Sequence, residues 1–266
     1  MTKHLKYIIP IAIVLSLVGF FLSHKLKKPK EEETIETRKV EQINKLPVKQ
    51  RPYITLTPRA DGKEVTLTID NLTNASQAEY ELEYQAGSMI QGVFGSIDFQ
   101  KEELPVSKNL LFGSCSKGKC RYDENVTGGS LTLRFEGGDE PYVLKTDFNL
   151  QLMSQHEGVF ASKDIKAKLD VGKSGLPAST YVIIANTLGL PVDLDGEIIA
   201  GPYAFLAAQT QKFNGTLTIQ SKEDLTSAKL FYYNGSDWTE ITLEIDNNKI
   251  TAPVTNLGTY IVVSQE

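Results

Sequence analysis

From Tyr53 to the C-terminus, apolar and polar residues alternate in short runs broken by turn residues. No other feature constrains the fold of this chain as strongly. Period-two alternation buries one face of a strand and wets the other, and it cannot line one side of a helix. The runs Tyr53–Thr57, Glu64–Ile69, Glu79–Tyr84, Val93–Phe99, Ser130–Phe135 and Tyr142–Leu150 read as strands. Asp61-Gly62, Asn71–Asn74 and Gly137-Gly138-Asp139 supply turns between them. A polar stretch at Ser154–Gly158 follows, and then the same pattern resumes. Ala161–Asp170, Thr180–Ala185, Gly201–Ala207, Gly215–Gln220, Ala228–Tyr233, Trp238–Ile245, Lys249–Val254 and Thr259–Ser264 read as strands, with Asn234-Gly235 and Asn247-Asn248 as hairpin signals. The expected fold class is all-β, with two β-sandwich domains over 53–155 and 156–266.

The N-terminal region has a different composition. Tyr7–Leu22 is sixteen residues without a charge, preceded by Lys3 and Lys6 and followed by Lys25, Lys27, Lys28 and Lys30. As a helix it reaches about 24 Å, and snorkelling lysines extend that toward a hydrocarbon core of about 30 Å. No small-residue cleavage site follows Leu22, so an uncleaved anchor over 1–24 is favoured over a secretory signal. A charged stalk is expected over 25–52, with Pro29, Pro47 and Pro52 and no apolar stripe. Lysine placement by itself keeps the C-terminus inside. The all-β pattern and a cysteine pair favour the opposite arrangement, with the N-terminus inside and the bulk extracytoplasmic.

Charge is partitioned. The whole chain carries −5; residues 1–52 hold 11 basic and 5 acidic side chains, and the remainder holds 17 and 28, a net −11. A body that acidic repels nucleic acid, which is excluded as a partner. The expected partners are the membrane, through Tyr7–Leu22, and envelope proteins or polysaccharide. The histidines are His4, His24 and His156, and the cysteines are Cys115 and Cys120. That scarcity removes multi-Cys/His zinc sites, histidine-dependent hydrolases and iron–sulfur centres. No glycine-rich phosphate loop is present, and no cofactor is expected.

Three constellations remain. Cys115 and Cys120 frame CSKGKC, whose Gly118 suits a tight turn, and the pair is expected to form a disulfide. Asp193, Asp195 and Glu197 place carboxylates at alternate positions, which makes them a calcium candidate, although the rest of a calcium loop is missing. Tyr232, Tyr233 and Trp238 form the densest aromatic group. Trp238 is expected in the core, and whichever tyrosine faces outward is the candidate for stacking on a sugar.

The segment containing GPYAF, FNGTLTIQ, AKLFYYNGSDWTEI and DNNKITAPVTNLGTYIVV resembles the ZU-type β-sandwich of zona-occludens and netrin-receptor proteins, whose cousins occur in bacterial surface proteins. The resemblance covers the last 105 residues or so and implies a fold rather than an activity. Some members cleave themselves at a His-Phe-Ser triplet. The matching positions here are Asn256, Leu257 and Gly258, so that chemistry is not carried over. The first domain resembles immunoglobulin and fibronectin sandwiches in strand number and spacing. The expected function is binding, adhesion or structural support at the cell envelope, without catalysis. Two alternatives are an envelope glycan-acting enzyme using paired carboxylates, such as Asp237/Glu240 or Asp139/Glu140, and an accessory subunit of a secretion or pilus machine.

Overall fold

A computed structural model describes residues 42–209 and 211–265. The expected anchor at 1–24 and most of the stalk lie outside them. No helix among the described residues is long and apolar enough to cross a membrane.

The alternating runs form strands, as their side-chain pattern demands. In chain order the first are β1 (Tyr53–Pro58), β2 (Glu64–Asp70), β3 (Gln77–Ala86), β4 (Met89–Asp98), β5 (Val106–Leu111), β6 (Gly113–Ser116), β7 (Lys119–Tyr122), β8 (Val126–Glu136) and β9 (Tyr142–Leu152). A one-turn helix α1 (Met153–His156) follows. The rest are β10 (Val159–Ala161), β11 (Ala167–Asp170), β12 (Tyr181–Asn186), β13 (Glu197–Leu206), β14 (Lys212–Gln220), β15 (Ala228–Tyr233), β16 (Trp238–Ile241), β17 (Glu244–Asp246), β18 (Lys249–Asn256) and β19 (Gly258–Ser264).

Two expected strands each divide. Ala161–Asp170 breaks into β10 and β11 because Asp164 caps a turn. Its carboxylate accepts from the Ser162 hydroxyl and the Lys166 amide, and Ile165 takes φ +61°. Trp238–Ile245 breaks into β16 and β17, which belong to different sheets. Ile241 and Leu243 both pack against one core at that corner.

One nine-stranded sheet, in the order β16-β15-β19-β13-β12-β9-β8-β3-β4, runs through the whole described chain. The two strand sets separated in the sequence meet in it where β9 pairs with β12, Phe148 opposite Ala185 and Leu150 opposite Ile183. A three-stranded sheet, β1-β2-β5, encloses the first core. That core joins Leu67, Leu82, Leu133, Phe135 and Phe148 to Ile183 and Ala185 of β12. A five-stranded sheet, β10-β11-β14-β18-β17, encloses the second. That core joins Phe160, Phe205, Leu217, Ile250 and Val262 to Val182 and Ile184 of β12. Neighbouring residues of β12 therefore feed opposite cores, and Val182–Ala185 are buried on both faces of the strand. The three- and five-stranded sheets cover opposite faces of the large one, staggered along it.

The last residues of the expected stalk are part of the folded body. Ile43 bridges to Val143 in parallel, and the Asn44 side chain donates to the Lys145 carbonyl while accepting from its amide, both at 2.9 Å. A 3-10 turn at Val48–Gln50 follows, and Val48 packs on a third cluster of Leu190, Phe231, Ile261 and Val263. The Arg51 guanidinium donates to the carbonyls of Leu46 and Asn44, each at 2.7 Å. These contacts join two polar side chains, Asn44 and Arg51, to backbone groups and use little apolar surface, so composition does not reveal them.

Candidate binding face

The staggered covering leaves one half of one face uncovered. Register gives its contents. Phe94 of β4 pairs with Glu81 of β3, Glu81 with Thr132 of β8, and Thr132 with Lys145 of β9. The next row is Gly92, Glu83, Ser130 and Asp147, and the one after it Ile90, Gln85, Gly128 and Asn149. The intervening residues Leu82, Leu131, Leu133 and Leu144 fill the first core. The open face is thus polar at its centre and apolar at its β4 margin.

Its charges are partly paired. Arg134 lies 3.3 Å from Glu81, and the Ser130 hydroxyl lies 3.5 Å from Glu83. Lys163, on the β10–β11 turn, overhangs the face. Its ammonium reaches the Gly129 carbonyl at 3.2 Å and Asp147 at 3.4 Å. Two clefts meet beneath it. The larger, about 400 Å³, is lined by Glu83, Gln85, Ile90, Ser130, Asn149 and Lys163. Gly128 and Gly129 form its floor, and a Cβ on Gly129 would collide with the Glu83 carbonyl. The smaller, about 240 Å³, is lined by Arg51, Lys145, Asp147, Lys163, Asp164 and Tyr203. There the Tyr203 hydroxyl donates to Asp164 at 3.2 Å. Burial, reinforced by the Asp164 carboxylate, pushes the Tyr203 phenol well above its ordinary pKa. Burial lowers that of Arg51. The arrangement offers hydrogen-bond donors and acceptors of both signs along a shallow track. Such a track suits a polar, extended ligand held by several weak contacts.

The residues singled out from sequence sit elsewhere. Cys115 and Cys120 are bonded as a disulfide and join β6 to β7. Trp238 donates its indole N–H to the Val192 carbonyl at 3.0 Å and packs on the third cluster. The Tyr233 ring lies 5.5 Å from that of Trp238 and 6.2 Å from that of Tyr53. Tyr232 turns to the other side of the sheet. Its ring lies 5.1 Å from that of Tyr260, and its hydroxyl donates to the Leu257 carbonyl at 3.3 Å. The three rings therefore brace strands and a loop within the fold. Asp193, Asp195 and Glu197 are exposed. Among the described residues no group of three His, Cys, Asp or Glu side chains is placed to hold a metal ion. Asp237 and Asp139 cap turns, accepting from the Trp238 amide and from Asn74.

Sequence reasoning missed the open face because it is assembled from four strands and a turn. One signal is legible: in MIQGVFGSI, alternation puts Ile90 and Phe94 together on one side of an uncharged run. No protein-family model matches the chain, and no curated protein matches it.

Proposed function

We propose that the protein is a membrane-tethered, extracytoplasmic binding protein whose open sheet face engages an envelope polysaccharide or an extended segment of an envelope protein. The observation that carries this reading is the uncovered half of the nine-stranded sheet, with its two clefts meeting beneath Lys163. The remaining large faces of that sheet are packed against other elements. The uncharged run Tyr7–Leu22 supports tethering. The Cys115–Cys120 disulfide supports an oxidising compartment. Charged groups of both signs around one track favour a neutral or zwitterionic ligand over a strongly anionic one.

The test has two arms. A protease that cannot enter intact cells should remove the folded body, leaving the anchor behind. The full-length chain in detergent should retain isolated envelope polysaccharide or an envelope protein. Lys163→Glu should weaken retention roughly tenfold or more, whereas Lys249→Glu, on β18 of the five-stranded sheet, should not. Protection from protease on intact cells, persisting when only an outer layer is opened, refutes the location. Equal retention by both variants refutes the face.

A further inference from the structure

The nine-stranded sheet ends at β4, a ten-residue strand paired only with β3. Its outer edge presents a row of backbone N–H and C=O groups. Seven large apolar side chains are exposed among the described residues, and three of them are on this strand: Met89 at 59%, Ile90 at 72% and Phe94 at 83%. From Gly87 to Ile97 the chain carries no charge. A long, apolar and uncharged edge invites pairing with another strand.

The other sheet edges are guarded. β10 has three residues and β16 has four. β17 carries Glu244 and Asp246, β5 carries Lys108, and β1 ends in Pro58. Shortness, charge and proline are the usual defences of an edge. β4 has none of them along its length until Asp98, which is ion-paired with Lys101 at 2.6 Å.

We infer that β4 is a self-pairing edge, and that two copies of the chain join antiparallel across it into one continuous sheet. The strand's own chemistry argues for a second copy. Centred on Gly92, the pairing puts Ile90 opposite Phe94 of the second copy, an aromatic–β-branched pair of the kind that stabilises sheets. Gln91 then meets Val93, Met89 meets Gly95, and Gly92 meets itself. No pair in this register brings two charges together. Asp98, at the far end of β4, lies beyond the paired residues 89–95 and is held by Lys101; the next acids, Glu79, Glu81 and Glu83, stand one strand further in. The Glu83 side chains of the two copies are then three strand spacings apart, about 14 Å. That exceeds a screening length of about 8 Å. A partner strand of any other sequence would need its own match to this uncharged row.

The two-fold axis of such a pair is normal to the sheet. Both open faces therefore look the same way, and both chains leave Gln42 in the same sense along the axis. One added strand buries less than the roughly 1,600 Å² of a standard interface. The dimer accordingly depends on concentration.

The test uses the full-length chain in detergent. A Cβ on Gly92 meets nothing closer than the Leu82 carbonyl at 3.8 Å, so Gly92→Cys is accommodated. Under mild oxidation Gly92→Cys should give a covalent dimer. The same substitution at Ser236, in the exposed β15–β16 turn, should not. Sedimentation should show a monomer–dimer equilibrium that Phe94→Lys and Ile90→Lys each weaken about tenfold or more. Unchanged circular dichroism would show that these variants fold. A chain monomeric at every concentration overturns the inference, as does a dimer that survives Phe94→Lys. Cross-linking of Gly92→Cys to a different protein instead of to itself assigns the edge to a foreign strand, and that too overturns it.

Discussion

The two halves of the nine-stranded sheet, on either side of β12, are built from the same alternating pattern and end in different states. The β4-to-β9 half buries one face against β1-β2-β5 and leaves the other wet. The β13-to-β16 half is covered on both faces. The five-stranded sheet covers one of them. A loop and a 3-10 turn cover the other, although no third sheet is available there. That loop is pinned by side chains. Trp238 donates to the Val192 carbonyl, and Asn71 donates to the carbonyls of Leu190 and Pro191. The Tyr53 hydroxyl bonds to Thr259 at 3.0 Å from the same side. Alternation decides that a strand has two unlike faces. What lies over each face is decided by segments that are not strands.

The largest test of this contrast is at β12. Ile183 and Ile184 are neighbours that serve different cores. Ile183→Ala and Ile184→Ala should each cost about 2–4 kcal/mol. Because the sheet is shared, both should shift one cooperative unfolding transition. Urea titration followed by Trp238 fluorescence checks this. An Ile183→Ala midpoint unchanged at Trp238 would mean that the halves unfold separately.

A smaller effect is expected at the pinned loop. Trp238→Ala should cost about 2 kcal/mol, below the value for a fully buried tryptophan because this one is half-buried. The accompanying gain in amide exchange should be confined to 188–194 and the strands beneath. Exchange spreading into β3 and β8 would erase the distinction between the halves.

Alkaline pH acts on both halves through buried tyrosines. Burial pushes Tyr53 and Tyr142 up to about 12, and Tyr203 and Tyr260 higher. A tyrosine that keeps its proton in the folded chain contributes fully below its unfolded pKa of about 10. That contribution is lost as pH rises toward the folded value. Stability should fall with a slope approaching 1.4 kcal/mol per pH unit for each such tyrosine, about the limiting value. Urea midpoints at pH 9 and pH 11 measure the slope, and Tyr203→Phe should reduce it.

The smallest effect is expected on the open face, where substitutions meet solvent. Lys145→Ala should change stability by less than about 0.5 kcal/mol while altering the smaller cleft. A loss above 1 kcal/mol in a thermal melt, roughly twice that bound, would mean that something covers this half after all.

Several strands with one wet face are legible in the sequence. YITLT, EVTLTI and EYELEY show their alternation without ambiguity, and the structure places β1, β2 and β3 over them. VSKNLL has no clean alternation, so β5 does not show in the sequence. Thr180–Ala185 reads as a strand, but its run of apolar residues gives no sign that they divide between two cores. Alternation reports a strand's own faces and is silent about its neighbours, so the shared sheet lay beyond it. The open face was hidden for the same reason. Glu81, Thr132 and Lys145 become neighbours only through register, and Lys163 joins them only through the turn that Asp164 caps. The disulfide was legible because its two cysteines are five residues apart and frame a turn glycine.

The clasp at residues 43–51 also has a mechanical consequence. A tug applied through Gln42 is delivered to β9 at Asn44, near the middle of the largest sheet, before it reaches β1. The paired bonds of Asn44 and the two carbonyls gripped by Arg51 take the load in turn. They act as strain relief, as a knot does where a cord enters its socket. A pull should open this clasp before the three-stranded sheet leaves its core.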